Sequence, residues 1–191
     1  MLLIAGVVAA YLVGTFPSAQ LVARSFGAED PTKIGSGNPG ASNVYRSAGK
    51  RAGVLVGLVD VLKGAIPVGV ALLVAGRPEA HAVWVAAVCG HIFPVTRGFR
   101  GGKGVATAGG GGMVLSPVLA VMLTVAFFAI VRFGRIAALG SLAVALAYPA
   151  LVWVVGRESW EVLTSLGLAC LVIARHRGNL ERLLRRSEAT V

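Results

Sequence analysis

The chain has 191 residues, of which 56% are hydrophobic and only 14% charged, with a mean hydropathy of +0.80. A soluble domain of this size carries roughly 25% charged residues, so the deficit excludes an ordinary water-soluble fold and points to lipid as the solvent. The net charge of +10 is no nucleic-acid footprint, because the basic residues cluster between apolar runs in a membrane-topology pattern.

Seven apolar segments are expected, in one domain over 1–191. The first run is Leu2–Val22. It lacks a basic leader and a small-residue cleavage site, so it reads as a retained span and not a removed signal. The next runs are Ala52–Ala75 and Ala80–Val95, followed by Val105–Val131, Ile136–Val155 and Val162–Ala174. The connections holding Arg24–Arg51, Arg97–Lys103, Arg132 with Arg135, and Arg175–Arg186 carry 15 of the 18 Lys and Arg residues. The positive-inside rule places all four in the cytoplasm, and the poorly basic connections around Arg77 and Arg157 outside.

Parity then constrains Val105–Val131. Both of its flanks are basic, so a single crossing would strand Arg132 and Arg135 on the wrong side. Ser116-Pro117 lies near its middle, and proline breaks a helix by removing a donor and clashing with the preceding turn. The run is therefore read as a broken hairpin, Val105–Leu115 and Pro117–Val131, with one long tilted helix as the alternative. The fold expected is an all-α polytopic membrane protein of seven transmembrane segments, N-terminus outside and C-terminus cytoplasmic.

All the unusual polar sequence falls on the expected cytoplasmic side. Gly35-Ser36-Gly37-Asn38-Pro39-Gly40-Ala41-Ser42-Asn43 is followed by Arg46. Small residues expose backbone N–H groups, the material of an anion-binding nest, and Arg46 adds a forked donor that matches phosphate. Gly101-Gly102-Lys103-Gly104-Val105-Ala106-Thr107 places glycines and a lysine before a helix start, where orphan N–H groups and the dipole attract anions. It is no Walker A loop, since Arg97 and Gly104 stand where that motif needs its first glycine and its Ser/Thr. His91 is read as structural. Near the C-terminus His176 and Asn179, three apart, share a face if the last helix continues through them. Asp60 and Lys63, inside the second span, are expected to pair at i,i+3. Cys89 and Cys170 stand alone, and no metal cluster is legible.

Taken in order, these stretches resemble the bacterial acyl-phosphate:glycerol-3-phosphate acyltransferase family over essentially the whole chain. The resemblance rests on Gly35–Asn38 through Asn43 and Arg46, on Asp60–Gly64, and on Gly90-His91 to Val95. It continues with Gly101–Thr107 and ends with His176, Asn179, Arg182 and Glu188. It implies a bacterial inner-membrane enzyme, without cofactor, whose active site is at the cytoplasmic face. Such an enzyme moves an acyl group from acyl phosphate to glycerol 3-phosphate, giving 1-acyl-glycerol 3-phosphate and inorganic phosphate. It further implies an upstream enzyme that makes the acyl phosphate. By motif, Ser36, Arg46, Lys103, His176 and Asn179 match active-site positions. Gly37, Asn38, Gly40, Ser42, Asn43, Gly101, Gly102, Gly104 and Thr107 line the substrate phosphates. Ser141 matches a pocket serine, although the family's usual serine three residues earlier is Ala138 here. The rival reading is a small transporter of phosphorylated or lipid-linked substrates, to which broken helices and intramembrane charges also belong.

Overall fold

A computed structural model of the protein describes residues 1–190, and among these it contains helices and connecting loops but no strand. The chain divides into two compact units, Met1–Leu115 and the part from Ser116 onward.

The first unit holds α1 (Leu2–Gly14), α2 (Ser18–Ser25), α3 (Ala41–Ala48), α4 (Lys50–Val74), α5 (Arg77–Ile92) and α6 (Val105–Leu115), with a 3₁₀ turn at Val95–Arg97. The run Leu2–Val22, expected as a retained first span, is interrupted at Thr15–Pro17. Pro17 cannot donate to the turn before it, so α1 stops at Gly14 and α2 restarts as a short amphipathic helix. The buried face of α2 (Ala19, Val22) joins Val44 of α3 and Ala52 and Val56 of α4 in one apolar cluster.

Glycine decides how closely the long helices approach. α4 packs on α6, and α1 on α5. A Cβ on Gly64 would run into the carbonyl of Thr107, and one on Gly110 into that of Val61. Gly14 lies likewise on the Ala87 carbonyl and Gly90 on that of Tyr11. Lipid supplies no hydrophobic force between helices, so association depends on backbones brought this near. At its far end α6 is tied to α5, where Arg77 Nη1 donates to the last helical carbonyl, Leu115 O, at 3.2 Å.

The second unit holds α7 (Pro117–Gly134), α8 (Ala137–Val154), α9 (Ser159–Arg175) and α10 (Arg177–Leu184); α7 packs on α8, α8 on α9, and α10 on the end of α9. The break expected at Ser116-Pro117 is present. Ser116 leaves helical geometry at φ −147°, ψ 70°, and Pro117 opens α7, where its missing N–H costs nothing. The last apolar run does not continue through His176 as one helix, because His176 ends α9 and caps α10.

Helices therefore stand at all six expected apolar runs, with the fourth split in two at Ser116-Pro117. Among the described residues four stretches, 2–25, 50–74, 117–134 and 137–154, are long and apolar enough to cross a bilayer. Their outer faces expose large side chains such as Ile4, Ile66, Leu73, Val118, Val125 and Phe128. Large apolar side chains exposed along helices of that length mark a protein embedded in lipid.

Candidate active site

In the first unit the Pro31–Ala41 loop is held by one side chain. Asn43, buried on α3, donates from Nδ2 to the carbonyls of Pro31 (2.8 Å) and Ile34 (3.1 Å), while its Oδ1 accepts the N–H of Ser36 at 3.1 Å. Asn43, expected among the residues lining the substrate, thus has its amide engaged by its own loop. The glycine-rich stretch is also not an open nest. The N–H groups of Ser36, Gly37 and Gly40 are engaged by Asn43 Oδ1, Ile34 O and Asn38 O respectively. Outward stand Ser36 of the loop and Arg46 of α3, both exposed, with Asn38 and Ser42 half-buried.

The second glycine-rich stretch is likewise closed on itself at its start. Gly101 N–H donates to Ile92 O and Gly102 N–H to His91 O, each at 3.1 Å. Both glycines are buried, and their amides, expected to face a phosphate, donate to these carbonyls. Gly101 lies on the His91 carbonyl, and Gly102 lies against the His91 ring, where a Cβ would collide with Nε2. Lys103, half-buried, then emerges, and Gly104 turns the chain into α6 at φ 83°. Lys103 is followed directly by the first turn of α6, whose leading N–H groups have no intrahelical acceptor and favour an anion. Thr107 is fully buried, its hydroxyl has no partner among the described residues, and its backbone packs on Gly64.

Beneath this loop lies a buried polar cluster. Asp60 Oδ1 is 2.7 Å from Lys63 Nζ, the expected i,i+3 pair, and accepts the Ser18 hydroxyl at 2.6 Å. Lys63 Nζ also donates to Phe16 O at 3.0 Å and lies 3.3 Å from His91 Nδ1. Beside it Arg97 donates to Gln20 Oε1 (3.1 Å) and Thr15 O (3.4 Å). Burial lowers the pKa of that guanidinium, and Asp60 and Asp30 oppose the shift.

In the second unit His176 is 1% exposed, and its Nδ1 lies 2.8 Å from Val172 O. A carbonyl can only accept, so Nδ1 carries the proton, and in the neutral ring Nε2 is the basic nitrogen. Asn179 Nδ2 donates to Glu188 Oε1 at 2.7 Å, and Arg182 Nε to Glu188 Oε2 at 2.8 Å. Ser141 is buried on α8, its hydroxyl donating to Ala137 O at 2.9 Å, which leaves it able only to accept from another group. No group of three His, Cys, Asp or Glu side chains comes together among the described residues.

The family model described as glycerol-3-phosphate acyltransferase matches residues 4–186. The chain belongs to the glycerol-3-phosphate acyltransferase family. It is 46% identical to the glycerol-3-phosphate acyltransferase of Syntrophotalea carbinolica, covering 94% of this chain and 93% of that protein. It is 40% identical to that of Thioalkalivibrio sulfidiphilus, covering 97% and 92%. The crystal structure of PlsY (YgiH), an integral membrane glycerol 3-phosphate acyltransferase in its glycerol 3-phosphate form, superposes with a TM-score of 0.95 at 35% identity, covering 100% of this chain and 96% of that one. Its lysophosphatidic acid form gives 0.90 at 34%, covering 100% and 95%.

For this glycerol-3-phosphate acyltransferase, two structural partners lay outside the sequence-based site. Glu188 was legible only as the end of a motif, yet its carboxylate orients both Asn179 and Arg182. Ser18 gave no signal, because a lone serine after a proline is common; only the fold brings it to Asp60, 42 positions away.

Proposed function

We propose that this acyltransferase moves a fatty acyl group from acyl phosphate to the sn-1 hydroxyl of glycerol 3-phosphate, releasing inorganic phosphate and forming 1-acyl-glycerol 3-phosphate. The observation that carries this reading is the set of cationic and polar groups around two glycine-rich loops, in a chain that matches its family over nearly its whole length. Both substrates are polyanions. Arg46, Ser36, Asn38 and Ser42 serve one phosphate-bearing loop, and Lys103 with the N-terminus of α6 serves the other. Cations and oriented dipoles there offset the repulsion and position the reactants, where much of the barrier reduction originates.

The hydroxyl oxygen of glycerol 3-phosphate attacks the acyl carbonyl carbon and the bond to phosphate breaks, phosphate leaving with the electron pair. No acyl-enzyme is required, and no Gly-x-Ser-x-Gly elbow is present. His176 Nε2 takes the hydroxyl proton, a role its tautomer supports; the departing phosphate is the competing base. Asn179, oriented by Glu188, and Ser141 contribute polar contacts to substrate.

The protein spans the bacterial inner membrane seven times, N-terminus outside, with the loops at residues 26–40 and 98–104 and the His176–Glu188 segment at the cytoplasmic face. The uneven distribution of Lys and Arg supports that orientation. An upstream enzyme supplies acyl phosphate.

The test uses detergent-purified protein with palmitoyl phosphate and glycerol 3-phosphate, with palmitoyl-CoA in parallel. Phosphate release that needs both substrates, with lysophosphatidic acid formed and none from palmitoyl-CoA, is expected. Product from palmitoyl-CoA alone would overturn the donor, and no product from either would return the transporter reading.

A further inference from the structure

We propose that the buried cluster of Ser18, Asp60, Lys63 and His91 is a positioning device for the Lys103 loop, acting through His91; the proposal rests on that loop being a phosphate site. Three observations within the first unit converge on it.

The cluster is costly and therefore calls for an account. Asp60, Lys63, Ser18 and His91 are each at most 5% exposed, and a buried ion pair is often no more stabilising than a packed apolar pair of the same volume. Stability alone does not explain four polar groups drawn from α2, α4 and α5.

The cluster also fixes one histidine. The Lys63 ammonium, already donating to Asp60 and Phe16 O, lies 3.3 Å from His91 Nδ1. Asp60 Oδ1 lies 3.7 Å from the same nitrogen, so Nδ1 is held against both members of the ion pair. This fixes the plane of the ring from behind, as an outer carboxylate does for a metal-bound histidine.

The same histidine is the floor of the loop. Its carbonyl accepts the Gly102 N–H at 3.1 Å, and the Nε2 side of its ring meets Gly102, leaving no room for a Cβ. Lys103 is the next residue, and α6 starts two beyond. A path of direct contacts thus runs from Asp60 through Lys63 and His91 to Gly102. Any tilt of the ring moves the backbone from which Lys103 projects. His91, Lys63 and Asp60 are positioning residues, and none of them need touch substrate.

The experiment measures kcat and KM for each substrate on detergent-purified His91→Ala, Lys63→Met, Gly102→Ala and the double variant His91→Ala/Gly102→Ala, with thermal unfolding of each. A displaced phosphate loop is expected to raise KM for one phosphorylated substrate roughly tenfold or more, with kcat changed far less. His91→Gln, which keeps a polar amide near the ring position, is expected to recover part of that loss. If Lys63→Met fails to fold, the glycine cycle decides. Because Gly102→Ala acts by striking the His91 ring, the double variant is expected to fall well short of the product of the single effects. Multiplicative effects would overturn the proposal, as would unchanged KM with stability lost in parallel, or wild-type kinetics throughout. Lys103→Ala separates the two readings. An active Lys103→Ala enzyme removes the phosphate loop itself, whereas an inactive one beside normal His91 and Lys63 variants removes only the positioning device.

Discussion

The side-chain carbonyl of Asn43 accepts the backbone N–H of Ser36 at 3.1 Å while its amide nitrogen donates to two carbonyls of the same loop. One buried amide therefore organises the segment from which Ser36 and Asn38 project. Asn43→Ala leaves two carbonyls and an N–H without that partner and is expected to cost about 1–3 kcal/mol of stability, with activity falling more than stability predicts. Asn43→Asp is the sharper variant, since it keeps the acceptor for Ser36 but turns an oxygen toward two carbonyls. Equal activity for Asn43→Asp and the wild type would show that the two donated bonds do not shape the site.

Glu188 does for Asn179 what Asn43 does for Ser36. Its carboxylate receives Asn179 on one oxygen and Arg182 on the other. Glu188→Ala is expected to lower kcat about tenfold or more by loosening Asn179, with little change in the unfolding temperature of the membrane helices. Glu188→Gln retains the shape but weakens the charge-assisted bond to Arg182, and an intermediate kcat is expected. A kcat unaffected by Glu188→Ala would mean that Asn179 needs no such support.

The phosphate-binding roles are tested by Lys103→Ala and Arg46→Ala, each expected to lose about 10²-fold in kcat/KM when a fixed charge facing a developing anion is removed. Unfolding temperatures are expected to stay close to that of the parent. Turnover near normal in either variant would remove that residue from the site.

His176 is separable from its own anchoring. His176→Asn keeps a donor near the Nδ1 position for Val172 O but removes the basic nitrogen, so a drop of about 10²–10⁴-fold in kcat is expected with the fold intact. A near-normal rate would assign the proton to the departing phosphate.

Helix packing makes its own prediction, measured as thermal unfolding in detergent. Gly64→Ala forces a methyl against the Thr107 carbonyl, where backbone cannot yield, and is expected to destabilise by about 1–3 kcal/mol. Gly69→Ala, five residues along the same helix with nothing within 4 Å of the added carbon, is expected to be neutral or stabilising by up to about 1 kcal/mol.

The sequence by itself determined the solvent, the apolar runs and the break at Ser116-Pro117, because hydropathy and proline act locally and need no neighbours. It also carried the Asp60–Lys63 pair, set by helical spacing, and the family resemblance, through motifs in order. The interruption at Thr15–Pro17 was legible in principle but lay inside an otherwise uniform apolar run. Which polar groups bond within the fold was decided only by the tertiary structure. Gly37, Gly40, Gly101 and Gly102 have their N–H groups turned inward onto carbonyls, Asn43 becomes a staple, and Thr107 disappears into the α4–α6 contact. A glycine-rich string has the same composition whether its amides face a ligand or its own carbonyls. The difference is made by what lies beneath it, here His91, which Lys63 and Asp60 hold from other helices.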